Sequence, residues 1–117
     1  EYLRKDWEER GLDPTKDTIL LAGDFNCSQR NPEFAEEKTI RGLLKVGWVS
    51  ATGNLPWPQA ATVRPDPDGK YPASDFDHIL LSPGWGKLPR KGRWEAGVLQ
   101  ESNVPSDHWP VVLRWGD

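Results

Sequence analysis

Thr18-Ile19-Leu20-Leu21-Ala22-Gly23-Asp24-Phe25-Asn26 (TILLAGDFN) is the stretch from which the fold can be read outward. Thr18 to Ala22 is a short, continuous apolar run with branched residues, the pattern of a strand buried in a sheet. Gly23-Asp24-Phe25-Asn26 ends the run abruptly and places an acid and an amide where a strand gives way to a loop. On the N-terminal side, residues 1–10 read as a helix. Leu3 and Trp7 share one face at i, i+4, and Gly11 is a natural stop. Asp13-Pro14 makes a turn before the strand. On the C-terminal side a second helix is expected from Asn31 as cap, with Pro32 at its first position and Glu33 in its first turn. Ile40, Leu43 and Leu44 form its inward face, and Gly47 is placed to end it.

Beyond Gly47 the pattern turns to short strands. Trp48–Ala51 is a brief one, residues 52–59 are a loop with two prolines, and Ala61–Arg64 is extended. Asp66-Pro67-Asp68-Gly69 is a turn whose glycine supplies a positive φ. Phe76–Leu81, Trp94–Leu99 and Pro110–Trp115 complete the set. Several short strands with two helices and no repeats or linkers give a mixed class, α/β or α+β.

Composition bounds what this chain does. It has 117 residues, one domain's worth, with 36% hydrophobic and 28% charged residues. A net charge of −3 argues against nucleic-acid binding that rests on global positive charge, but not against a local phosphate site. No apolar run approaches the roughly 18 residues of a membrane span. The single cysteine, Cys27, forms no internal disulfide and no cysteine–histidine zinc cage, and reads as a small buried residue. The chain contains no methionine and starts at Glu1, so no targeting segment is readable and the compartment stays open. Seven tryptophans supply large apolar surfaces at few positions, and such rings need deep packing or a partner.

Three segments carry chemistry: Gly23-Asp24-Phe25-Asn26, Asp75-Phe76-Asp77-His78, and Ser106-Asp107-His108-Trp109-Pro110. Each adjoins an expected strand, and loops at strand ends of a rigid sheet are a common place for catalytic groups. Singly, each also reads as a polar turn or an exposed edge. Jointly, carboxylates, an imidazole and an amide suit hydrolysis at phosphorus. A hard divalent cation wants oxygen ligands, water must be oriented, and donors must hold the phosphoryl oxygens.

Leu-Ala-Gly-Asp-Phe-Asn, Phe-Asp-His-Ile-Leu-Leu-Ser and Ser-Asp-His-Trp-Pro-Val resemble the last three motifs of the endonuclease/exonuclease/phosphatase superfamily, from about Leu20 to the end. Thr62 fits a threonine often found between the first two motifs. The resemblance implies an α+β fold: the C-terminal half of a four-layer αββα sandwich, mainly antiparallel sheet with flanking helices. It implies a metal-dependent phosphoesterase working by activated water with Mg2+ or Mn2+. By position, Asp24 would orient or deprotonate the water and Asn26 would bond the scissile phosphate. Asp107 would bind the metal, and His108 would contact a phosphate oxygen. Asp77 would accept a hydrogen bond from His108 and fix its tautomer. Ser106 would shape its loop, while Asp75 and His78 match no functional position and read as structural or solvent-facing.

The superfamily domain has two similar halves, and residues 1–117 correspond to the second. A metal-binding glutamate, a phosphate-binding asparagine and a histidine or tyrosine of the first half have no counterpart here; Glu1, Asp6, Glu8 and Glu9 read as a solvated helix face. One sheet with helices on one side would leave its other face bare, so the partner expected is the N-terminal half of the same domain, or a second copy. The substrate is a phosphate ester, with nucleic acid, phospholipid and inositol phosphate all open. The competing reading is a non-catalytic interaction module, or an inactive fragment, that retains the sheet. Lys87, Arg90, Lys91 and Arg93 read as a solvated loop in preference to a track for a phosphodiester backbone. Trp57, between two prolines, either reaches substrate or closes the core edge, and Trp109 is expected beneath His108.

Overall fold

The computed structural model describes residues 2–28, 30, 38–70, 72–87, 94–101, 103 and 105–116. The expected helix start at Asn31, Pro32 and Glu33, the loop cations Arg90, Lys91 and Arg93, and Glu1 lie outside the described residues.

The chain opens with α1 (Tyr2–Glu9), which ends where Gly11 takes a left-handed φ of 70° and donates its N–H to the Glu8 carbonyl. Strand β1 (Leu20–Asp24) follows, then α2 (Thr39–Lys45), β2 (Val49–Ser50), β3 (Asp77–Leu81), a 3-10 turn over Pro83–Lys87, β4 (Trp94–Val98) and β5 (Val111–Trp115). Helices and antiparallel sheets are thus mixed, as expected of an α+β fold. β1, β3 and β2 form one antiparallel sheet with β3 in the middle, and β4 pairs with β5 in a second.

The first strand sits two residues later than TILLA suggests. Thr18 and Ile19 fall outside it: the Ile19 N–H donates to the Ser82 side-chain Oγ (2.8 Å) in place of a backbone carbonyl, and Ser82 Oγ donates to the Asp17 carbonyl (2.7 Å). The strand therefore runs through Gly23 to Asp24, so Asp24 stands inside the ladder rather than in the loop after it.

Strand alternation gives the sheet two apolar faces. On one, Leu80 and Leu21 meet Cys27, Ile40 and Trp48, with Leu43 and Leu44 from α2 and Trp7 from α1. Trp7 stacks on Trp48 with ring centroids 5.2 Å apart, which anchors α1. On the other, Ile79, Leu81 and Ala51 meet Trp94, Ala96, Val111 and Leu113 of the second sheet. The β4–β5 pair thus covers a face that a one-sheet reading leaves bare, and the described residues build three layers: helices, three strands, two strands. The cover is central only. Leu20 of β1 and Val49 of β2, which flank buried Leu81 on that face, are 42% and 47% exposed.

Candidate active site

The β1–β3 register sets Asp24 directly opposite Asp77. Side chains of paired residues point to the same face, so two carboxylates meet at the end of the ladder. Like charges in that position repel, and the segment before β5 supplies the answer. His108 Nδ1 lies 2.7 Å from Asp77 Oδ2, and one ligating atom from each of Asp24, Asp77 and His108 falls within 4.8 Å of the others.

Thr62 holds this arrangement. Its side chain is fully buried, Oγ1 donates to Asp77 Oδ2 (2.7 Å), and the same oxygen accepts the N–H groups of Phe76 and Asp77 (3.1 and 3.0 Å). Its backbone carbonyl accepts the Trp109 N–H (2.7 Å) while its N–H donates to Ser74 (2.9 Å). Val63 bridges both Ser74 and His108, and the Arg64 N–H donates to the Asp107 carbonyl. The extended 61–64 segment is therefore a splice between the Asp77 and His108 segments. In sequence Thr62 stands out only by its resemblance to a family position, because its partners lie 14 and 15 residues away.

With Asp77 as acceptor, His108 carries its proton on Nδ1, leaving Nε2 for other work. The hydrogen bond to Asp77 is the main influence raising the His108 pKa above its ordinary 6.5; partial burial opposes it, and the Asp77, Asp107 and Asp24 charges reinforce it. The imidazolium form, with an N–H at Nε2, is thereby favoured. Asp107 Oδ1 lies 3.9 Å from that Nε2, and its side chain is 81% exposed. Ser106 Oγ accepts the His108 N–H (3.1 Å), which shapes the loop. Asn26 has a left-handed φ of 51°, a conformation asparagine tolerates better than most residues, and its N–H closes a turn onto Asp24 Oδ1 (2.9 Å).

The two neighbours without motif roles are structural. His78 is buried against Phe25 and lies 3.0 Å from the Cys27 carbonyl through Nε2. Asp75 is buried too. It accepts a hydrogen bond from Ser28 Oγ, and Arg30 reaches it at 3.5 Å. Arg30 also donates to the Gly53 and Leu55 carbonyls (2.9 and 3.0 Å), so the loop after Asn26 is tied to the segment leading into β3. No pattern in the sequence pairs Arg30 with Asp75, because the two sit 45 residues apart. Trp57 is 45% exposed, and the Arg64 guanidinium stands 5.8 Å from the Trp109 ring centroid.

Asn26, Ser106, Asp107 and His108 edge a cleft of about 790 Å3. No curated protein and no solved structure gives a comparable match to this chain. A family model described as Endonuclease/Exonuclease/phosphatase family matches residues 2–108, starting ahead of Leu20 and ending at His108. A match over most of the chain, taking in Asp24, Asp77, Asp107 and His108, makes this protein a member of the endonuclease/exonuclease/phosphatase family of phosphoester-cleaving hydrolases.

Proposed function

We propose that this chain carries part of a divalent-metal-dependent phosphoesterase site in which water attacks phosphorus directly. The supporting observation is the Asp77–His108 pair, 2.7 Å apart, locked by Thr62 and facing Asp24 across the β1–β3 ladder. Asp24 orients the attacking water and takes its proton. His108, held by Asp77, presents Nε2–H to a phosphoryl oxygen as negative charge grows there. Asn26 adds an amide donor to the phosphate.

Of the acids present, Asp107 best fits a hard cation. Its carboxylate is exposed; Asp24, exposed too, is assigned to the water, and Asp77 is engaged with His108. Mg2+ or Mn2+ held by Asp107 would neutralise charge on the phosphoryl oxygens. The incomplete cover over Leu20 and Val49 supports completion of the domain, spanning residues 1–117 here, by its N-terminal half or by a second copy.

Mn2+ titration of the isotope-labelled chain tests the site. Paramagnetic broadening is expected to centre on the amides of Asp107 and His108 and to weaken at least tenfold in apparent affinity in Asp107→Ala, the loss of one charged ligand. With Mg2+, the completed protein is expected to hydrolyse bis(p-nitrophenyl) phosphate and to lose most of that activity in the same variant. Unchanged metal binding and unchanged hydrolysis in Asp107→Ala would overturn the reading.

A further inference from the structure

Of the two histidines, the site uses only His108. His78 follows Asp77 in β3, so alternation along the strand turns it to the opposite face, the one on which Leu80 meets Cys27, Ile40 and Trp48. It is 3% exposed, and its ring meets Phe25 edge to face with centroids 5.8 Å apart. Nε2 lies 3.0 Å from the Cys27 carbonyl. A carbonyl only accepts, so this bond requires the ring hydrogen on Nε2. In the neutral ring Nδ1 is then a bare acceptor, and among the described residues it has no hydrogen-bond partner. A buried acceptor left unpaired costs free energy that an apolar side chain at this position avoids. What the imidazole contributes in return is the Nε2–H donor to Cys27.

That donor stands next to Asn26. Asn26 is exposed at the edge of the cleft, between half-buried Phe25 and buried Cys27, and its left-handed φ of 51° turns the chain there. A residue with a side chain keeps such a conformation when its surroundings impose it. Ahead of the turn, the Phe25 N–H donates to the Phe76 carbonyl (2.8 Å), and the Asn26 N–H donates to Asp24 Oδ1 (2.9 Å). After it, the bond from His78 fixes the peptide plane that follows Cys27. The turn is thus pinned on both sides of Asn26.

We propose that His78 is a positioning residue: its buried Nε2–H, acting through the Cys27 carbonyl, holds the turn that sets Asn26 at the edge of the cleft. Adjacent residues of β3 then serve the site from opposite faces of the strand, Asp77 holding His108 and His78 holding Asn26. The effect on catalysis rests on the hydrolase reading, in which Asn26 is a donor to the phosphate; the placement of Asn26 does not.

NMR of the full chain without metal tests the placement. Long-range 1H–15N correlation is expected to find the His78 hydrogen on Nε2. A hydrogen on Nδ1 alone would leave the Cys27 carbonyl without this donor and overturns the proposal. Two variants then separate the bond from packing. In His78→Gln an amide N–H stands near the place of Nε2, whereas His78→Leu fills the space without a donor. The wild type and His78→Gln are expected to show the strong HN–Hα cross-peak within Asn26 that a left-handed φ gives. In His78→Leu that cross-peak is expected to be lost while the contacts of the β1–β3 ladder, such as Ala22 to Ile79, remain. Survival of the Asn26 signature in a folded His78→Leu, or its loss in a folded His78→Gln, overturns the proposal. Should His78→Leu fail to fold, the wild-type tautomer and the His78→Gln result still decide.

Hydrolysis is a separate readout. With Mg2+, the completed protein is expected to lose about tenfold in kcat/KM in His78→Leu and to regain it in His78→Gln, because a displaced donor loses much of its hold on the transition state. The Asn26 signature without any hydrolysis sinks the hydrolase reading alone. Undiminished hydrolysis in His78→Leu sinks the positioning role alone.

Discussion

Among single residues, the placement of His108 depends on two hydrogen bonds to one carboxylate oxygen. Asp77 Oδ2 accepts from Thr62 and from His108, each at 2.7 Å. Because the His108 pKa is raised in the folded chain, its contribution to stability is fully present below the unfolded value near 6.5. It fades as pH climbs through the folded value. A metal-free NMR titration of His108 is therefore expected to show a midpoint above 6.5, falling back in Asp77→Asn, and stability of the wild type should decline relative to that variant between the two midpoints. A midpoint at or below 6.5 would mean that Asp77 does not hold the imidazole. Thr62→Val is nearly isosteric but leaves the Phe76 and Asp77 amides without their acceptor and Asp77 Oδ2 with one donor fewer. It should cost about 2–3 kcal/mol in urea unfolding, as unsatisfied buried groups do.

At the scale of elements, the segment before β1 is sewn to the segment after β3. Ser82 N–H donates to Ile19, Gly84 N–H to Pro14, and Trp85 Nε1–H to Ile19, at 3.0, 2.9 and 2.9 Å. The backbones come so close that a Cβ at Gly84 would sit 2.1 Å from the Asp17 carbonyl oxygen. Gly84→Ala is therefore expected to destabilise the chain by about 1–3 kcal/mol, the usual cost of forcing atoms into a filled space, and thermal unfolding measures it. An unchanged Tm would show that the two segments separate freely. The same lacing accompanies the late start of β1, where the Ile19 N–H donates to the Ser82 side chain in place of a backbone carbonyl.

At the scale of the whole molecule, the described layers pack well at the centre and poorly at the flanks. The radius of gyration is 15.2 Å, against about 13 Å for a compact chain of this length. Leu20, Val49 and Trp115 remain between two-fifths and half exposed around the second sheet. In sedimentation velocity the chain alone is expected to associate as concentration rises. Leu20→Asn should suppress that association, because it removes apolar surface from the open flank. A single monomeric species at every concentration would argue that this flank needs no cover.

The mixed class, the succession of strands along the chain and the three segments that carry acids and histidine are all legible in the residues alone. Those signals are local: an apolar run, a turn residue, a motif a few residues long. The C-terminal strand 111–115 and the turn at Gly69 are found close to where their residues place them. Tertiary structure alone decided which face each acid occupies. Asp24 and Asp77 meet because of register, and a shift of one residue would send either to the opposite face. It also decided that β4 and β5 cover Leu81, that Thr62 joins two distant segments, and that Arg30 reaches Asp75. These contacts join residues many positions apart, so no local pattern records them; they exist only once the buried strands have packed.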